Sequence, residues 1–204
     1  MPEKTVQKEP GKKPAPSQKP KPQQEVVVQI PLSELHPFPD HPFQVREDAS
    51  MQETAESVKE YGVLVPALAR PREDGGYELI AGHRRKHACE LVGLATMPVI
   101  VRDIDRDAAT IIMVDSNLQR ENILPSERAK AYKMKMEAIK RQGARTDLTS
   151  PKISAKFRSD DEVGQDAGVS GDTIRNYIAL TQLVPELQQM VDEKKIALSP
   201  AYQL

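Results

Sequence analysis

Cysteine, tryptophan and long apolar runs are what this chain of 204 residues and 22.7 kDa has least of. Its one cysteine, Cys89, cannot form an internal disulfide, which fits a reducing cytosol. No apolar run approaches the roughly 18 residues of a membrane span, so no membrane association is expected. The N-terminus carries lysines but no hydrophobic stretch, so no signal peptide is expected either. A P-loop sequence, a four-ligand zinc pattern and internal repeats are all missing. Hydrophobic residues make up only 38%. That suits one modest core, with part of the chain outside it. An excess of one charge is missing too, because 29 Lys and Arg face 30 Asp and Glu. Such a balance counts against nucleic-acid binding unless the charges are segregated, since affinity there rests on phosphate neutralisation.

Proline punctuates what is present. Residues 1–24 hold six prolines and six lysines against Glu3 and Glu9, and read as an extended, solvated arm. From Glu25 the texture changes. Val26 to Ile30 is a β-branched run, and Leu35 to Phe43 reads as a proline-locked loop. Met51, Ala55 and Val58 recur at helical spacing before the natural stop at Gly62. Leu64 to Arg72 and Tyr77 to Ala81 read as strands joined by the hairpin signal Asp74-Gly75-Gly76. Gly82 opens a helix to about Leu91, Met97 to Val101 is a strand, and Ala108 to Leu118 is an apolar helix. Pro125-Ser126-Glu127 then starts a long helix that Gly143 is expected to end. This pattern predicts a small α+β domain over 25–122. A polar connector at 144–157 interrupts an all-α region over 123–198, and residues 199–204 open a further helix. A chain that halts there is expected to be a fragment, with a dimerisation segment beyond it.

The charges are segregated. Between Glu127 and Arg145 stand seven basic and two acidic residues, whereas Asp160 to Asp172 has five acids and no Lys or Arg. Within the latter region, Asp160 to Ala167 and Gly171 to Leu183 have the layout of a helix-turn-helix at about 160–183. Ala167 and Gly168 would permit close approach, and Val169, Ile174 and Ile178 would point inward. Ser170 can cap the second helix, which would turn Asp172, Thr173, Arg175, Asn176 and Tyr177 outward to base edges or phosphate. Only Arg175 on that helix is cationic, so phosphate contacts are expected from the basic helix, including Lys140 and Arg141. An ordinary helical hairpin would satisfy the same pattern.

A second feature is the run Glu78-Leu-Ile-Ala-Gly82-His83-Arg84-Arg85-Lys86-His87. A strand entering glycine, followed by a helix with two arginines in its first turn, suits an anion. Free N–H groups and the helix dipole face it, and arginine adds forked donors. Cations oppose the dipole at a helix start, which favours an anion over a merely solvated turn. His83 and His87 share a helical spacing compatible with a metal, but no full ligand set accompanies them. In the polar run Asp115 to Asn122, Asp115 and Asn117 are oxygen ligands suited to Mg²⁺ and Arg120 suits phosphate; ordinary helix-end capping explains the run equally well.

Taken in series, these elements closely resemble the ParB/Spo0J/Noc family of chromosome and plasmid partition proteins, over about residues 25–198. The marks are Pro37 to Pro42, Gly62-Val-Leu-Val-Pro66, Glu78 to Arg85, Asn117-Leu-Gln-Arg-Glu121 with Pro125-Ser126-Glu127, and the helix-turn-helix. The resemblance implies a ParB/sulfiredoxin-like N-terminal domain that binds CTP with Mg²⁺. It also implies a helix-turn-helix that reads a palindromic centromere-like site in double-stranded DNA, and a C-terminal dimerisation domain. A homodimer, a ParA-type ATPase partner and a cytoplasmic location at a nucleoid or plasmid follow from it. So does a role in partition of a plasmid, chromosome or mobile element. Carried over by motif, the nucleotide site comprises Gly62, Pro66, Gly82, Arg84, Arg85, Asn117, Gln119 and Arg120, with Asn117 on the metal.

Three positions depart from the family pattern. His83 stands where the family has Glu, His87 where it has a later arginine, and Ser116 where it has a Glu tied to metal binding and hydrolysis. Nucleotide binding is therefore expected ahead of turnover, with Asp115 the one stand-in for a catalytic acid. A transcription regulator with the same domains is an alternative. An ATP-dependent phosphotransferase of the sulfiredoxin or serine-kinase type is another.

Overall fold

A computed structural model describes residues 25–120, 122–147 and 159–202. The arm at 1–24, Glu121, residues 148–158 with most of the expected connector, and residues 203–204 lie outside the described residues.

Five strands form one mixed sheet in the order β1-β5-β3-β4-β2. They are β1 (Val27–Pro31), β2 (Leu35–Pro37), β3 (Ala67–Pro71), β4 (Tyr77–Ala81) and β5 (Thr96–Val101). The β3–β4 hairpin is antiparallel, and β3 runs parallel to β5. Strand alternation divides the core in two. Ala67, Ala69, Leu79, Met97 and Val99 face α1 (Ala49–Tyr61) and α2 (His83–Leu91), packing on Met51, Val58, Ala88 and Cys89. Leu68 and Ile80 point the other way, into a cluster with Met113 and Val114 of α3 (Arg106–Leu118) and with Phe38 and Phe43.

The proline-rich segment expected as loop contributes β2, which runs parallel to β4, and it buries Phe38 and Phe43. Pairing to a formed sheet overrides its weak strand propensity. The strand expected from Leu64 starts only at Ala67, and Leu64 and Val65 stay exposed.

Among the described residues, five helices follow α3: α4 (Pro125–Asp147), α5 (Ser159–Ala167), α6 (Gly171–Ala179), α7 (Pro185–Asp192) and the short α8 (Leu198–Ala201). Gly143 does not end α4, which runs on to Asp147. A single glycine costs an exposed helix only about 1 kcal/mol, too little to stop it against its neighbours' preference. Helix α6 is also shorter than the pattern suggested. It stops at Ala179, and Leu180–Gln182 tighten into a 3-10 turn. Helix α4 joins the two parts of the chain. Its Ala131 and Met134 enter the α3 cluster, while Ala129 and Tyr132 enter the clusters of α5 to α8.

The α5–α6 pair closes through glycine, though not at the expected place. Gly168 (φ +68) makes the turn, while the close approach is at Gly164, where an added Cβ would meet the Val169 carbonyl oxygen at 2.6 Å. Ser170 Oγ accepts from Thr173 N at 3.2 Å and caps α6 as anticipated. Ile174 is fully buried, with Val169 and Ile178 packed around it.

Candidate functional site

Gly82 is where β4 turns into α2. Its φ of +110° and an approach of 2.8 Å between an added Cβ and Ala67 Cβ exclude any side chain. The first turn of α2 projects Arg84 and Arg85 to different places. Arg84 Nη2 donates to Ser50 Oγ at 3.1 Å and to Asp48 Oδ1 at 3.4 Å. Asp48 itself caps α1, accepting from Met51 N at 2.8 Å. The Met51 N–H, aided by Arg84, holds the Asp48 carboxyl below the usual carboxylate range. Arg85 turns instead to the backbone, donating to the carbonyls of Val65 and Pro66, the latter at 2.7 Å.

Arg84, Gln119 and Arg120 line one cleft of about 510 Å³, together with Gln44, Arg46 and Glu127. Gly62 and Arg85 line a second, of about 350 Å³, which meets the first at Ser50. Pro66 reaches this arrangement through its carbonyl on Arg85. Asn117 lies buried at the end of α3; its Nδ2 donates to the Met113 carbonyl at 2.7 Å, and its Oδ1 is buried without a partner. Electrostatically the first cleft is short of negative charge. Partial burial, then repulsion from Arg84, pulls the Arg120 guanidinium below its ordinary pKa, with Glu127 opposing. Burial and Arg120 do the same to Arg85. Arg46 and Glu127 pair at 3.3 Å on the far wall.

His83 does not share a metal face with His87. It packs on His41 with ring centroids 4.0 Å apart, and the Nε2 atoms of both rings are buried without a partner. Burial, reinforced by His41, Arg120 and Lys86, pushes the His83 imidazole down to about 3. His41 Nδ1 lies 2.7 Å from the Phe43 carbonyl oxygen, and burial lowers its pKa too. His87 instead pairs with Glu47 and Glu90 on the surface. No group of three or more His, Cys, Asp or Glu among the described residues could hold a metal ion. Mg²⁺ here would therefore depend on Asn117 Oδ1 and on oxygens of a bound ligand.

Asp115 is not in either cleft. It turns to α4, accepting from Lys135 Nζ at 2.6 Å, and Lys135 also reaches Asp166 of α5 at 2.8 Å. One residue of helix separates Asp115 from Asn117 by two steps of about 100°, which aims it away from the arginines. Ser116 is exposed and bonds back to the Met113 carbonyl at 2.9 Å.

The residues expected on DNA are scattered. Tyr177 packs inward, edge-on to Tyr132 at 5.6 Å and beneath Arg128, so it is not turned outward. Its apolar ring fills the gap between α4 and α6. Ser170 and Thr173 are engaged with each other at 2.9 Å. Arg175 is half-exposed and held by the carboxylates of Asp160 and Asp172. In the basic helix, Lys135 is 1% exposed and Arg141 donates to the buried Asp107 at 2.7 Å. Lys140 and Lys130 stay exposed.

Sequence reasoning missed Gln44, Arg46, Asp48, Ser50 and Glu127 of the first cleft. The N-cap Asp48 was a readable helix-start signal; nothing marked Gln44 or Arg46. No helix among the described residues is long and apolar enough to cross a membrane.

Comparison with known proteins identifies the domain that carries the sheet. The ParB N-terminal domain matches residues 16–118, half of the chain. The chromosome-partitioning protein Spo0J of Thermus thermophilus is 35% identical over 171 residues, 83% of this chain and 56% of that protein. Stage 0 sporulation protein J of Bacillus subtilis is 31% identical over 175 residues, 86% of this chain and 56% of that protein. The chain thus spans about half the length of the curated relatives it matches. Among solved structures, C-terminally truncated ParB of Caulobacter crescentus, complexed to the centromeric parS site, is 26% identical and has a TM-score of 0.55. That match covers 86% of this chain and 82% of the other. With half its residues matched by the ParB N-terminal domain, and its α+β sheet unit built around that match, the chain belongs to the ParB family.

Proposed function

We propose that this chain is the nucleotide-binding and DNA-reading portion of a partition protein for a chromosome, plasmid or mobile element. It binds CTP in the Arg84–Arg120 cleft and a palindromic centromere-like site through α5 and α6, used as a helix-turn-helix. The observation that carries this reading is the convergence of Arg84 and Arg120 in a cleft short of negative charge, beside a helix start that only glycine permits. A triphosphate supplies the missing anion: backbone N–H groups at the start of α2 and the two guanidiniums meet its oxygens. Mg²⁺, with Asn117 Oδ1 as one ligand, would offset phosphate charge. The family resemblance supports cytidine as the base. The parS-bound Caulobacter relative supports the DNA reading. A two-fold site calls for two copies of the chain, and a ParA-type ATPase is the partner that partition requires. With Ser116 in place of the family's Glu and Asp115 committed to Lys135, the nucleotide acts as a bound switch rather than as a rapidly turned-over substrate.

Calorimetry with CTP and with ATP, each with Mg²⁺, tests the proposal. CTP is expected to bind, and Arg84→Ala to weaken it by about 1.5–3 kcal/mol, the worth of hydrogen bonds to a charged group. Preference for ATP, or unchanged CTP affinity in Arg84→Ala, rejects the assignment. Brisk hydrolysis of CTP by the native protein rejects the bound-switch part alone.

A further inference from the structure

The helix pair has a charge pattern opposite to that of most surfaces that meet DNA. Between Ser159 and Ala179 the chain has one cation, Arg175, and five carboxylates: Asp160, Asp161, Glu162, Asp166 and Asp172. The cation is not free. Its Nη1 bonds Asp160, whose side chain is 10% exposed, and its Nη2 bonds Asp172, whose side chain is 79% exposed. Both ends of the guanidinium fork are thus occupied, one from the first helix of the pair and one from three residues back on the second.

Resting on the reading of α5 and α6 as a DNA-binding unit, we propose that Asp172, acting with Asp160, is a specificity determinant that withholds Arg175 from phosphate and releases it only to a guanine edge. A phosphate oxygen offers Arg175 a partner no better than the carboxylates it already has, and the approach brings the backbone against three further negative charges, Asp161, Glu162 and Asp166. Random-sequence binding through this face is therefore disfavoured. Guanine O6 and N7 present two acceptors in the spacing of the fork. Arg175 can exchange its two carboxylate bonds for two base bonds, and the freed Asp172 carboxylate can accept from a neighbouring cytosine amino group. Phosphate attraction comes from elsewhere, such as exposed Lys130 and Lys140, so α6 contributes discrimination more than affinity. The role is one of exclusion as well as attraction, because the same two carboxylates that aim the fork also penalise the wrong partner.

The test begins by enriching binding sites from a random duplex pool with the full chain. Affinities for the enriched duplex and for a shuffled duplex of equal composition are then measured by fluorescence anisotropy at several salt concentrations. Asp172→Asn is expected to raise affinity for the shuffled duplex roughly three- to tenfold, steepen its salt dependence, and lower discrimination by a similar factor. Glu162→Gln removes an exposed charge that Arg175 does not use, and should raise both affinities alike. Arg175→Lys keeps the charge but loses the fork, so it should lose preference while retaining shuffled-duplex binding. Unchanged or increased discrimination in Asp172→Asn, with native circular dichroism, overturns the proposal. So does retained preference in Arg175→Lys. If the native chain enriches no sequence, the DNA reading itself fails, and this is seen before any variant is made.

Discussion

Two regions of this molecule are proposed to meet polyanions, and they are built on opposite electrostatic plans. The cleft beside the sheet gathers Arg84 and Arg120 until they repel one another, with Glu127 only partly offsetting them. The α5–α6 pair surrounds its one arginine with acid and pairs it twice. The contrast reflects what each ligand offers. A nucleotide triphosphate is small and densely charged, and arginines that outnumber the nearby carboxylates, Arg46, Arg84 and Arg120 against Asp48 and Glu127, are stabilised when it arrives. Duplex DNA offers phosphate everywhere and information only in its grooves, so an unguarded arginine there would bind any sequence. Surplus charge serves capture; withheld charge serves choice.

The largest effect that could sharpen this contrast is expected from Gly82→Ala. The +110° backbone and the Ala67 methyl at 2.8 Å oppose a Cβ together, so stability should fall by roughly 2–4 kcal/mol. Denaturant unfolding would measure it, and nucleotide affinity should fall in the fraction that remains folded. Loss of nucleotide binding with intact DNA selection would separate the two plans; simultaneous loss of both would tie them together.

Lys135→Met addresses their junction. Lys135 is 1% exposed and joins Asp115 of α3 to Asp166 of α5. Burial by itself would lower its pKa, but the hydrogen bonds to the two carboxylates outweigh that and the net shift is upward. Its contribution is therefore complete at neutral pH and is lost only as pH rises through the lysine range. The aspartates are 42% and 56% exposed and can rehydrate, so the substitution should cost about 2 kcal/mol, below the usual toll of a fully buried orphan. A melt that shows no loss would mean the tie is ornamental.

The effect that is smallest near neutral pH, and grows only on acidification, distinguishes the regions by pH. All four histidines lie in the sheet unit, none in α5 or α6. His83 is held neutral down to about 3, whereas an unfolded histidine titrates near 6.5. Between those values the unfolded chain binds more protons, so stability falls as pH falls, by up to about 1.4 kcal/mol per unit from this residue. Carboxylates titrate in the same window, so the informative quantity is the difference between native protein and His83→Gln. The variant should have the flatter profile. Equal slopes would show that His83 is protonated at little cost.

Much of the fold was legible because its signals are local. Asp74-Gly75-Gly76 marked the β3–β4 hairpin, Gly82 marked the start of α2, and Pro125 with Glu127 marked the start of α4. The errors share one cause, tertiary context outweighing local preference. A proline-rich segment became β2 because β4 offered it a ladder, and α4 passed through Gly143. Of the cleft, the arginines and the glycine turn were readable as a motif. Gln44, Arg46 and Ser50 were not, since a polar residue in a loop looks the same whether it faces solvent or a cleft.

By itself the sequence determined which chemical groups are present, where helices begin, and that acid and base are segregated along the chain, because composition, caps and turn residues act within a few positions. Only the tertiary structure decided which charges are spent inside. Lys135 and Arg141 look like phosphate donors in a basic helix, yet each is committed to aspartates from other elements. Arg175 looks free on its helix, yet it is held by Asp160 from the helix before. The reason is one of range: a helical pattern specifies neighbours three or four residues away, while the partner that neutralises a charge is chosen by whichever distant element packs against it.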